Sequence, residues 1–105
     1  MASTKGYLEF ILEQLSELDG ITHRTMMGEY ILYYRGRIFG GIYDDRLLVK
    51  PVKAAVKLMP DAPSELPYEG AKPMLLVDSI DDREFLCELV GAMYDELPEP
   101  KKKKQ

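Results

Sequence analysis

The sequence predicts an α+β domain in which an antiparallel meander of four to five strands packs with N-terminal, middle and C-terminal helices. Between residues 21 and 50 the apolar residues lose their helical spacing, and short polar turns separate four apolar runs. Parallel neighbours would need long crossover connections between these runs, so we predict antiparallel pairing. Amphipathic helical patterns flank the runs on both sides.

The first predicted helix covers residues 4–18. Its apolar residues recur at spacings of three and four, with acidic and amide residues between them. Ser3 or Thr4 is predicted to cap its start, and Asp19-Gly20 to end it. The apolar stripe comprises Leu8, Ile11, Leu12, Leu15 and Leu18.

Four strands form the predicted meander. They cover residues 21–27, 30–34, 37–43 and 46–50. The turns between them are Gly28-Glu29, Arg35-Gly36 and Asp44-Asp45. Gly40-Gly41, inside the third strand, predicts a bulge or the close approach of a helix. Leu47-Leu48-Val49 is apolar on both faces, which predicts that helices cover part of the second face.

The C-terminal half adds three elements to the meander. We predict a short helix over 52–59, a proline-containing loop over 60–73, a fifth strand over 74–77 and a last helix. Asp81 and Glu84 have capping-box spacing at the start of that helix, and Pro98 ends it. Residues 1–100 are therefore predicted as one domain, followed by a lysine-rich, disordered tail over 101–105.

Charge and composition limit the classes of partner. The net charge is −4, but four of the 14 basic residues lie in the tail, which leaves ten against 18 acidic residues and a body near −8. An acidic body repels a phosphate backbone, so direct nucleic-acid binding is not expected. No signal peptide or membrane-length apolar run is recognisable, so we expect a cytoplasmic protein with no membrane partner.

The residues that could carry chemistry have simpler structural interpretations. His23 is the single histidine and has no recognisable nucleophile to activate, and Cys87 is expected as a small core or boundary residue. Asp44-Asp45 is more typical of a turn than of a metal site. We therefore predict no catalytic residue, no metal ligand and no cofactor.

Aromatic and basic residues cluster within the meander. Aromatic side chains on a sheet can stack nucleic-acid bases, but cross-strand pairing explains them without a ligand. The aromatic residues are Tyr30, Tyr33, Tyr34, Phe39 and Tyr43. The candidate interaction surface comprises Arg24, Tyr33, Arg35 and Arg37.

The meander also resembles a known family. Arg24-Thr25-Met26-Met27-Gly28, the Tyr33-to-Gly36 hairpin and Phe39 ahead of an Asp44-Asp45…Lys50 strand are similar to the signature of the TfoX (Sxy) N-terminal domain family. Members tend to carry Phe where this chain has Met27. The resemblance is close over 21–51 and looser over the flanking helices.

The resemblance implies a helix–meander–helix–strand–helix fold similar to that of secretion chaperones. It also implies a link to regulators of natural competence, in which a second, helical C-terminal domain follows. Since the chain ends at Gln105, we expect that second domain to be absent. The family's N-terminal domain supplies no catalytic residues to carry over.

Three functional hypotheses remain open. The first is a non-enzymatic regulatory and protein-interaction domain that acts on transcription through a protein partner. The second is a small-molecule-binding or enzymatic domain that uses the aromatic sheet face, with Tyr33, Arg35 or His23 as polar anchors. The third is direct nucleic-acid binding. Apolar strand edges and the wide apolar stripe of the last helix also allow a homodimer.

Overall fold

The computed structural model describes residues 3–98. This part of the chain forms one antiparallel sheet of six strands with three α-helices, which confirms the predicted α+β class. The helices are α1 (Lys5–Gln14), α2 (Lys53–Leu58) and α3 (Arg83–Met93), and a 3₁₀ turn over Tyr94–Glu96 follows α3. The strands are β1 (Ile21–Met26), β2 (Glu29–Tyr34), β3 (Arg37–Ile42), β4 (Leu47–Val49), β5 (Ser64–Glu65) and β6 (Met74–Leu76). The tail predicted over 101–105 lies outside the described residues.

Two-residue turns join the four strands of the meander. Arg35-Gly36 and Asp44-Asp45 turn as predicted, with positive φ at all four residues. The first turn is Met27-Gly28, with φ of 52° and 85°, so the prediction of Gly28-Glu29 was wrong by one residue. Glu29 already pairs with Met26 and therefore belongs to β2.

The glycine pair in β3 coincides with a bulge. The register between β2 and β3 shifts between Leu32 and Tyr33, which leaves Phe39 as the extra residue beside Gly40. A Cβ on Gly40 would lie 2.1 Å from the carbonyl oxygen of Leu48. The close approach predicted here is therefore made by the backbone of β4 and not by a helix.

The sheet continues beyond the meander in an order that differs from the chain order. The six strands lie in the order β1-β2-β3-β4-β6-β5. Met74–Leu76 is the predicted fifth strand, and it pairs with β4. The predicted loop over 60–73 contributes the two-residue strand β5 at the far edge. Two residues are too few to show a period in sequence, which explains why the predicted count was four to five.

Capping residues set where the helices begin. Thr4 caps α1, since its hydroxyl accepts a hydrogen bond from the Tyr7 N–H. The predicted cap of α3, Asp81, was wrong by one residue. Asp82 accepts from the Phe85 N–H at 3.1 Å, while its own N–H donates to Ser79 and closes the preceding turn.

The helices cover one face of the sheet, and the main core lies between them and the strands. Its fully buried members come from every helix and from β2 to β4. The largest are Phe39, Ile11, Leu15, Leu32, Ile42, Leu47, Leu86, Leu89 and Met93. Leu48 is also fully buried, but it lies opposite Gly41 and outside this cluster, on the second face. None of the helices within residues 3–98 is long and apolar enough to cross a membrane.

Candidate interaction surface

One edge of the sheet is β1, which pairs with β2 on one side and with no strand of residues 3–98 on the other. Its side chains are exposed from Thr22 to Met26, and only Ile21 is partly covered. A strand with an unpaired side presents backbone N–H and C=O groups that can hydrogen-bond to another chain. The structure therefore leaves six residues of strand edge open.

The hairpin geometry shows which amides point outwards. A two-residue turn places Met26 and Glu29 as a hydrogen-bonded pair, and the pattern then alternates along the strand. At the other end, the Arg35 N–H donates to the Gly20 carbonyl at 2.8 Å, which fits the same alternation. His23 and Thr25 consequently direct their N–H and C=O groups away from β2.

Exposed methionines lie at the end of this edge. Met27 occupies the turn and is 94% exposed, and Met26 is 38% exposed. Flexible, polarizable methionine side chains are well suited to adaptable protein contacts. The edge thus combines an open backbone with an apolar tip.

Two of the four residues of the predicted surface lie on the second face of the sheet. Thr22 is opposite Tyr33 and Arg24 is opposite Ile31, so Arg24 and Tyr33 are diagonal neighbours on one face. Leu32, the residue between Ile31 and Tyr33, points into the main core. Arg24 and Tyr33 therefore face away from the helices.

The other two residues of that surface lie near the C-terminal 3₁₀ turn. The Arg37 guanidinium stacks on the Tyr94 ring at 4.3 Å and donates to the carbonyls of Tyr94 (3.0 Å) and Leu97 (3.3 Å). Arg35 lies over Tyr34 at 5.4 Å and over Tyr94 at 6.0 Å. The structure thus separates the four residues into two pairs on different faces.

His23 lies at the rim of the helix-covered face. It is opposite the buried Leu32, and its ring meets the Tyr30 ring edge-on at 6.1 Å. It also lines a shallow hollow between β1 and the residues that follow α1, among them Leu18 and Asp19. Neither Tyr33 nor Arg35, the other two proposed polar anchors, lines this hollow with His23.

The acidic turn holds the start of α1. The Thr4 N–H donates to the Asp45 carboxylate at 2.8 Å, and the Asp45 N–H donates to the Ser3 hydroxyl at 3.1 Å. Glu29 accepts from Ser3 and from the Asp44 N–H. These contacts give the Asp44-Asp45 turn a structural role that its sequence did not specify, since Ser3 and Thr4 are some 40 residues away.

Cys87 is half-buried on α3, as expected of a boundary residue. Its thiol donates to the Gln14 carbonyl at 3.6 Å, a contact between α3 and α1. Burial, with a smaller contribution from the Glu17 charge, raises the pKa of the Cys87 thiol above its usual range. The thiol is therefore protonated at neutral pH.

A comparison with known families gives one match that covers most of the chain. The TfoX N-terminal domain family matches residues 13–96, which include every strand of the sheet and both C-terminal helices. The chain belongs to the TfoX N-terminal domain family. The resemblance of the meander to the family is thereby confirmed and extends over nearly the whole chain.

One curated relative extends the comparison to full length. An uncharacterized 12.7 kDa protein in the trpE 5′ region of Spirochaeta aurantia is 29% identical over 105 residues, which cover 99% of this chain and 91% of that protein. No solved structure gives a significant match.

Of the four residues of the predicted surface, Arg24 alone lies on the open β1 edge. The sequence carries a signal for this edge, because Thr22, His23, Arg24 and Thr25 are four consecutive strand residues with no apolar side chain on either face. Such a run is typical of an edge strand that no helix covers.

Proposed function

We propose that this TfoX N-terminal domain is a non-enzymatic protein-interaction module, of the kind found in competence regulators, that acts on transcription through a protein partner. The partner adds an extended segment to the sheet at β1. The observation that carries the proposal is the six-residue edge whose outward amides, at His23 and Thr25, have no partner strand within residues 3–98.

Charge favours a protein partner over nucleic acid. Arg24 is the one arginine or lysine on β1, and apart from the lysine tail acidic residues outnumber basic ones by eight. Hydrogen bonding between two strand backbones needs no positive charge on the protein surface, whereas binding of a phosphate backbone does. The exposed Met26 and Met27 supply apolar contact at the end of the ladder.

Two of the titratable groups singled out in the sequence, Asp45 and Cys87, support a non-enzymatic role. Asp45 holds the first turn of α1, and the Cys87 thiol is protonated and bonded to Gln14. These side chains serve the fold, and they lie on different elements.

A proline substitution at a residue whose N–H points away from β2 tests the proposal. Thr25→Pro removes one outward N–H but no hydrogen bond to β2, so the domain should fold while an added strand loses a donor. Thr25→Val is the matched control, because it keeps the N–H and the strand propensity. Tagged full-length variants would be compared by cross-linking and pull-down from cells of the source organism, with circular dichroism to verify folding.

We expect a specific partner to be captured by the native chain and by Thr25→Val, and lost with Thr25→Pro. Equal capture by both variants would overturn binding at β1. Failure of the native chain to capture any specific protein at native concentration would overturn the interaction role itself. Capture of a second copy of the chain would assign the edge to a homodimer in place of a heterologous partner.

A further inference from the structure

A cavity of about 480 Å³ lies on the second face of the sheet, between β3, residues 50–52 that follow β4, and the proline-containing segment that follows α2. Ile38 is opposite Tyr33, which places it on the face turned away from the main core. Tyr68, from the proline-containing segment, reaches the Tyr43 ring at 6.1 Å. The volume lies within the range of about 300–1,000 Å³ that small-molecule sites occupy.

The walls of this cavity are fixed before any ligand arrives. Arg46 bonds to the Glu65 carboxylate at 2.8 Å and to the Leu66 carbonyl at 3.2 Å, which ties the covering segment to the start of β4. The Ala71 N–H donates to the Tyr68 carbonyl and closes a turn over the cavity. Three prolines also line it: Pro51, Pro67 and Pro73. Rigid walls lower the entropy lost on binding.

The charge of the lining is uniformly positive. Lys50 and Lys72 both line the cavity, and no carboxylate does. In a body that is otherwise acidic, two lysines without an acidic neighbour in the same cavity favour an anionic group. Lys50 is half-buried, so its charge is screened less than that of a lysine on the open surface.

The rest of the lining is apolar or aromatic. Ile38 and Met74 contribute aliphatic surface, and Tyr43 and Tyr68 contribute rings. Burial raises the pKa of the Tyr43 hydroxyl, which therefore stays protonated and can donate a hydrogen bond to an anion. Apolar walls beside two ammonium groups match a ligand that has an apolar body and one charged end.

We propose that this cavity binds a small organic anion with an aromatic or other apolar body and a single carboxylate or sulfonate, held by Lys50 and Lys72 against the rings of Tyr43 and Tyr68. This activity goes beyond the interaction role of the β1 edge and does not depend on it. It also places ligand binding at residues other than Tyr33, Arg35 and His23.

A matched pair of dyes tests the charge and the apolar body separately. 1-Anilinonaphthalene-8-sulfonate is an aromatic monoanion, and N-phenyl-1-naphthylamine is the same framework without the sulfonate. We expect the sulfonate to bind the full-length domain with enhanced fluorescence and with an affinity that falls as salt is raised. The neutral dye should bind more weakly and without salt dependence.

Lysine-to-methionine variants locate the binding. Lys50→Met and Lys72→Met should each weaken binding of the sulfonate by roughly five- to tenfold, the loss of one charge-assisted contact, and leave the neutral dye unchanged. Lys57→Met, on the exposed side of α2 and outside the cavity, is the control and should change nothing. Amide shifts in NMR should concentrate at Ile38, Tyr43 and Tyr68.

Equal binding of both dyes, or equal loss in the Lys57 and Lys50 variants, would overturn the proposal. Shifts confined to the hollow beside Leu18 and His23 would overturn it as well. Circular dichroism verifies the fold of each variant independently of the dyes, so loss of both dyes in a folded Lys50 or Lys72 variant would also contradict the assigned role of the charges.

Discussion

Arg37 makes contacts that stabilise the fold, although the sequence placed it in the candidate interaction surface. In the sequence it is one of three arginines near a cluster of aromatic residues, which suggested an interaction surface. In the structure its guanidinium joins the start of β3 to the 3₁₀ turn after α3, by stacking on Tyr94 and donating to two carbonyls. The sequence could not reveal this contact because Tyr94 and Leu97 lie some 60 residues away.

Replacement of Arg37 by lysine should therefore destabilise the domain. Lysine keeps the charge but loses the planar stacking and the fixed donor geometry of the guanidinium, at a cost of about 1–2 kcal/mol. Urea unfolding would measure it. Arg35→Lys is the control, because Arg35 lies farther from the Tyr94 ring and should change stability by less than about 0.5 kcal/mol. Equal losses in the two variants would refute the role given to Arg37.

Cys87 supports a prediction about reactivity and pH. Because burial raises the pKa of its thiol, a smaller thiolate fraction is present at any pH below that pKa than in an unperturbed cysteine. Iodoacetamide should accordingly modify Cys87 more slowly than glutathione at pH 8, and its rate should keep rising at pH values where the rate for glutathione has levelled off. Modification in the native domain as fast as in urea would contradict this assignment.

At the scale of elements, local rules predicted most of the meander. Alternating apolar runs and glycine-containing turns were sufficient for four strands, and Thr4 was one of two predicted caps. Two predictions were wrong by one residue, the first turn and the cap of α3. At each place, two adjacent residues are both suitable for the turn or for the cap. The position of β6 next to β4, and the short β5 beyond it, depend on long-range pairing that no local pattern encodes.

Gly40 lies in β3 directly against the backbone of β4. A methyl group there would meet backbone atoms of β4, the Leu48 oxygen at 2.1 Å and the Val49 Cα at 2.9 Å, and neither can move without disturbing the sheet. Gly40→Ala should destabilise the domain by about 2–4 kcal/mol. Gly91→Ala, on the exposed side of α3 with no atom near the added Cβ, should stabilise it by about 0.5–1 kcal/mol. Thermal unfolding would detect both, and a neutral Gly40→Ala would disprove the close approach.

At the scale of the whole molecule, the two faces of the sheet and its free edge have different surroundings. The helices cover one face and enclose the core, while the proline-containing segment covers part of the other and encloses a cationic cavity. The β1 edge stays open. The sequence predicted the helix-covered core and carried a polar signal for the β1 edge, but it did not predict the cavity, since the cavity depends on which segments become neighbours in the folded sheet.

The most direct test of the open edge is residue-resolved amide hydrogen exchange of β1, with and without the captured partner. In the free domain the outward amides of His23 and Thr25 should exchange faster than the inward amides of Thr22 and Arg24, which bond to β2. With the partner bound, His23 and Thr25 should slow by at least about tenfold as they enter a new ladder. Unchanged exchange at both residues in the complex, or full protection in the free monomer, would contradict the proposed role of this edge.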